Sequence, residues 1–146
     1  MTALIAPALA LALHLAPPTQ AAEAWTWTLY PGNDGPLVLA NEIPDTPRLR
    51  ATLECAPGSS IVRVTLYGAA PAEGFAVVTA GSARADAQVQ TRRDRLQTSL
   101  RTDQPVFVAF MAGGVLTVAA GEQSTTVEID RPNLPKLRRF AEQCTG

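Results

Sequence analysis

A chain of 146 residues and 15.4 kDa, with 47 % hydrophobic and 17 % charged side chains and a mean hydropathy of +0.07, has the size of one domain. It is too apolar for a disordered segment, which combines low hydrophobicity with high net charge. Twelve Lys and Arg against thirteen Asp and Glu give a net charge of −1, which fits neither a strongly basic nucleic-acid binder nor an acidic tail protein.

The chain begins with an apolar run, Ala3 to Ala16 (ALIAPALALALHLA), interrupted at Pro7 and followed by Pro17-Pro18-Thr19-Gln20. The run is short of the ~20 apolar residues that cross the ~30 Å hydrocarbon layer, so no transmembrane span is expected. Two small-residue sites follow it. Ala22-Glu23-Ala24 would release a chain starting at Trp25, and Thr19-Gln20-Ala21 one starting at Ala22. This is the layout of a secretory signal peptide, which predicts an export segment over 1–24, a single β-rich domain over 25–146 and a periplasmic or secreted location. No Lys or Arg precedes the run; either the α-amino group serves alone or upstream codons supply the charge. No cysteine follows it, so a lipid-modified N-terminus is not expected. Cleavage before Trp25 removes Glu23 and His14, leaving equal numbers of acids and bases and no histidine. His-dependent acyl-transfer triads and histidine zinc sites are then excluded.

Trp25 to Tyr30 alternates large apolar side chains with threonines, and Pro31 to Gly35 reads as a turn. Trp25 and Trp27 are expected to fill the core beside the sheet; the other use of such a pair is an exposed recognition stripe. Leu37 to Ala40 is a short strand. Arg48 to Cys55 alternates without a fault, with Leu49, Ala51, Leu53 and Cys55 on one side and Arg48, Arg50, Thr52 and Glu54 on the other. The turn Ala56 to Ser60 leads into Ile61 to Tyr67, again alternating, so a hairpin is expected over 48–67. Gly74 to Ala80 is apolar on both faces, as in an interior strand. Ser82 to Gln104 carries neither Gly nor Pro. Its first half alternates, which favours two strands broken near Arg92-Arg93-Asp94, while its alanines and the spacing of Val89, Leu96 and Leu100 allow a helix.

Thr102-Asp103-Gln104-Pro105 starts a helix through VFVAFMA that Gly113-Gly114 ends. Val115 to Ala119 and Thr125 to Ile129 form a hairpin around Gly121-Glu122. Asn133-Leu134-Pro135 opens a last helix, whose Leu134, Leu137, Phe140, Ala141 and Cys144 share one face. The fold class is α+β: one mostly antiparallel, sandwich-like β domain with one short helix and a C-terminal helix. Cys55 and Cys144 are the only cysteines. In an exported domain such a pair reads as a structural disulfide, here one that pins the C-terminal helix to the strand carrying Cys55.

Chemistry is sparse. Glu54, Asp86 and Glu128 fall on the polar faces of strands, and Asp34 and Asp45 in turns; a converging carboxylate pair would be needed for a glycosidase-like site. Asn33-Asp34-Gly35 lacks the remaining ligands of a calcium loop. The glycines form no phosphate loop, and the one lysine is Lys136. No cofactor or metal is expected, and no catalytic residue is assigned. Two basic clusters, Arg92, Arg93 and Arg95, and Lys136, Arg138 and Arg139, are either a charged turn and a solvated helix face or a contact for an anionic partner such as lipid headgroups or an acidic protein face. Neutrality and few aromatics argue against nucleic acid.

An N-terminal Trp segment, a hairpin bearing one cysteine (LRATLECAPGSSIVRVTLYG), an apolar segment before a hairpin (PVFVAFMAGGVLTVAAG) and a terminal L-x-x-F-x-x-x-C together resemble small exported bacterial proteins. Among these the layout is similar to the periplasmic accessory proteins of type VI secretion, the VasI/TagO sort. The resemblance spans nearly all of residues 25–146 and rests on layout and the cysteine pair. It implies a β-rich domain acting through a protein partner, with no catalytic motif. The expectation is an exported, non-enzymatic protein-binding module of the envelope. The alternatives are an inhibitor or immunity protein against a secreted hydrolase, and a carboxylate-dependent envelope hydrolase.

Overall fold

A computed structural model describes residues 23–146; the expected export segment, residues 1–24, lies outside the described residues apart from Glu23 and Ala24. Nine strands follow in the order β1 (Thr26–Tyr30), β2 (Leu37–Glu42), β3 (Leu49–Cys55), β4 (Ile61–Tyr67), β5 (Gly74–Ala80), β6 (Ala83–Arg92), β7 (Arg95–Arg101), β8 (Val115–Ala120) and β9 (Gln123–Glu128). Helix α1 (Pro105–Gly113) lies between β7 and β8, and α2 (Leu134–Thr145) closes the chain after a 3-10 turn at Arg131–Asn133. The α+β, mostly antiparallel reading therefore holds. The sandwich-like packing is not shown: all nine strands hydrogen-bond into one continuous antiparallel sheet, in the order β1-β2-β3-β4-β7-β6-β5-β8-β9.

The sheet curls, which brings its two edges within reach of each other. The indole N–H of Trp27, on β1, donates to the Glu128 carbonyl, on β9, at 3.0 Å. Lys136 Nζ, on α2, donates to the Trp27 carbonyl at 2.5 Å. Each edge thus has a backbone carbonyl occupied by a side chain instead of by another strand, which blunts the open ladder.

Alternation sets the two faces. Leu39, Leu53, Val62, Val64, Leu100, Val78 and Leu116 point inward and are essentially fully buried. The helices complete that core, Phe107 and Phe110 from α1 and Leu137, Phe140 and Cys144 from α2 all being inaccessible. The helical stripe read from the spacing of Leu137, Phe140, Ala141 and Cys144 is the buried one. Trp27 belongs to the core, but Trp25 does not. It lies half-buried just ahead of β1, with the guanidinium of Arg50 3.9 Å from its ring centroid and that of Arg48 5.5 Å away. The expectation that both tryptophans fill the core is corrected there, because Trp25 precedes the first paired residue of β1.

The ambiguous stretch resolves as β6 and β7, joined by the two-residue turn Arg93-Asp94 between the paired Arg92 and Arg95. Arg93 adopts φ 60°, the left-handed conformation that a two-residue hairpin turn requires. Gly74 to Ala80 is the interior strand β5, yet only one of its apolar faces is covered: Phe75 on the other face is 77 % exposed.

The C-terminus of α2 is sewn to the β3–β4 turn. Cys55 and Cys144 are disulfide-bonded with their Cα atoms 5.7 Å apart, within the usual span of such bridges. Next to it the Gly58 and Ser60 N–H groups donate to the carbonyls of Gln143 and Cys144 at 3.2 and 3.0 Å. Carbonyls that a helix end leaves without an internal partner are thereby satisfied.

Candidate functional site

The two basic clusters sit on different elements, the β6–β7 turn and α2. Arg92, Arg93 and Arg95 sit at the β6–β7 turn, where the Arg95 guanidinium stacks on the Tyr67 ring at 4.9 Å and its Nε lies 3.6 Å from Asp94. On α2 the three basic residues diverge. Lys136 is bound to the Trp27 carbonyl, Arg138 borders the space between the helices, and Arg139 lies by Leu29 and Pro31 of the β1 side. Lys136 therefore anchors α2 to the sheet edge, a role that sequence spacing gives no sign of.

Glu54 lies 3.9 Å from Arg63 across the β3–β4 pair, and Asp86 and Glu128 are exposed. Asp103 takes a two-pronged contact from Arg101 at 2.9 and 2.7 Å, and this hydrogen bonding holds its carboxyl below the usual range. The Tyr30 hydroxyl donates to Glu42 at 2.5 Å, and that bond raises the phenol above its ordinary value of 10.0. Among the described residues no three His, Cys, Asp or Glu side chains cluster closely enough to hold a metal ion, and no helix is long and apolar enough to cross a membrane.

An open cavity of about 850 Å³ lies between α1 and α2. Val108, Met111 and Ala112 form its α1 wall and Ala141 its α2 wall, with Arg138 and Glu142 at the rim. The Thr145 hydroxyl donates to that of Thr102 at 3.2 Å and borders the same space with it. Helix geometry builds the site. Pro105 begins α1, Gly114 ends it in the left-handed conformation, and the nine-residue helix turns Val106, Phe107 and Phe110 into the core. The same helical spacing then leaves Val108, Met111 and Ala112 on the far side. These residues were legible in sequence only as part of an apolar run. The signal was the lack of any polar side chain over Pro105–Gly113, which deprives α1 of a face suited to water.

Compared with protein-family models, curated proteins and solved structures, the chain matches none.

Proposed function

We propose that the chain is an exported, non-enzymatic protein-binding module of the bacterial periplasm or envelope, and that the groove between α1 and α2 receives an apolar helix of its partner. One observation carries the reading. Helix α1 has no polar side chain, yet Val108 is 49 % exposed and Met111 and Ala112 border open space. A helix apolar on every side is normally enclosed. A partner helix offering apolar side chains at i, i+3 and i+4 would enclose it, with Arg138 and Glu142 fixing its direction. The disulfide holds the α2 wall in place, which reduces the ordering cost of association.

Two further features support export and partnership. A disulfide is compatible with an oxidising compartment, and the layout resembles periplasmic accessory proteins that act through other proteins. The test is co-purification of the tagged chain from envelope extract under non-reducing conditions. One stoichiometric protein is expected, its recovery falling at least tenfold for Val108→Glu and unchanged for Arg84→Ala on the opposite face. Equal recovery by the wild type and Val108→Glu would remove the groove from the reading. A secreted hydrolase as the captured protein would make the module an inhibitor of it.

A further inference from the structure

The face of the sheet turned away from the helices has its own chemistry. On the two central strands, β4 and β7, it presents Arg63, Arg95 and Arg101 and no carboxylate. Although charges balance over residues 25–146, they do not balance here. Arg101 is taken up by Asp103 and Arg95 by Tyr67 and Asp94, whereas Arg63 has only Glu54, at 3.9 Å, and stays more than half exposed.

Beside Arg63 is a shallow depression of about 200 Å³ lined by Gln88, Gln90, Gln97 and Ser99. That is below the ~300 Å³ of typical enclosed small-molecule pockets, so the fit is to a ligand lying along the surface. Three primary amides stand side by side on this face. Each offers both donors and an acceptor, as hydroxyl and acetamido groups do. Gln97 spends one donor on Thr65, at 3.2 Å, and keeps its carbonyl free. Register continues the row beyond the amides. Gln88 is paired with Phe75 on β5, the most exposed large apolar side chain of the sheet, and Ser99 with Arg63.

The geometry points to this row as a binding surface for a carboxylated polysaccharide. Phe75 would stack on the apolar face of one sugar ring, the three glutamines would meet hydroxyls of the next, and Arg63 would take a carboxylate with its paired N–H donors. A polypeptide is the poorer fit. Peptides dock on sheet edges or in apolar grooves, and this is the middle of a sheet with a polar floor. The surface is on the opposite side of the sheet from the inter-helix groove, so glycan and protein partner could be held together.

The test titrates the protein with a galacturonate hexamer, a neutral glucose hexamer and polyglutamate of matched charge, by calorimetry and by amide chemical shifts. The galacturonate hexamer is expected to bind, shifting the amides of Gln88, Gln90, Gln97 and Ser99. Arg63→Ala and the double change Gln88→Ala with Gln90→Ala should each weaken it at least tenfold, and Phe75→Ala about fivefold. All are surface positions, and unchanged circular dichroism confirms the fold. The neutral glycan should bind at least tenfold more weakly. No binding of the galacturonate hexamer, shifts elsewhere on the protein, equal affinity for polyglutamate or for the neutral hexamer, or an unaltered Arg63→Ala would each overturn the assignment. Capture of the protein partner by Arg63→Ala is expected to be normal, which separates this surface from the groove.

Discussion

Gly114 ends α1 at φ 77°, donating its N–H to Phe110 at 2.7 Å and accepting from Ile129 at 2.7 Å. A Cβ there would sit 2.3 Å from the Ile129 carbonyl oxygen and 2.9 Å from a Leu134 methyl. Gly114→Ala therefore combines a left-handed backbone penalty of ~1–2 kcal/mol with overpacking of ~1–3 kcal/mol. Urea denaturation should show a loss of at least ~2 kcal/mol, whereas Gly113→Ala, which meets open space, should be near neutral. At Tyr30 the raised phenol follows from its bond to Glu42. The neutral form is the one favoured on folding, so its stabilisation is full below the unfolded value near 10 and is lost as pH rises through the folded value. In a Tyr67→Phe background, ultraviolet difference titration should show Glu42→Gln moving Tyr30 back toward 10. Residue readings from sequence succeeded where alternation decides the face, as at Leu53 and Val64. They failed at Trp25, whose partners Arg48 and Arg50 come from the start of β3 and the residue before it, whereas the break expected near Arg92-Arg93-Asp94 is the observed turn.

At the scale of elements, α2 and the β3–β4 hairpin behave as one unit. The helix was legible because its first-turn proline marks its start and its apolar stripe and its cysteine share one face. Its docking site was legible only through Cys55. The bridge spans 89 positions, so in the chain-entropy description it stabilises the fold by up to about 4–5 kcal/mol. The double variant Cys55→Ser, Cys144→Ser should lose stability on that order in denaturant melts. Adding reductant should destabilise the wild type and leave the variant unmoved; equal sensitivity of both would contradict the assignment. Strands β6 and β7 were the hardest to read, because Ala-rich alternation satisfies both periods and the turn between them lacks Gly and Pro. One long-range pairing and one local hairpin decided it: β7 found β4, and β6 folded back on β5 through Gly81-Ser82.

For the whole molecule, the order of strands and the curl are what sequence could not supply. Placing β7 next to β4 requires β5 and β6 to loop out and return, and no local pattern encodes that excursion. The same curl brings Trp27 to Glu128, a contact between positions 101 apart. It also separates the two proposed surfaces, the groove between the helices and the outer row of amides and Arg63. The basic residues singled out in sequence are distributed among structural jobs, with Lys136 fastened to β1 and Arg95 stacked on Tyr67. The residues that frame the groove were hidden in an apolar run whose burial could not be apportioned before α2 was in place. The most direct measurement is a photo-crosslinking amino acid placed at Val108 in cells, with a second placed at Glu122 in the exposed β8–β9 turn. A single protein adduct from position 108, absent from position 122 and lost when Ala112→Arg fills the groove from its exposed side, is the predicted result. Adducts of the same protein from both positions, or none from position 108, would contradict the proposal that the helices form the docking site.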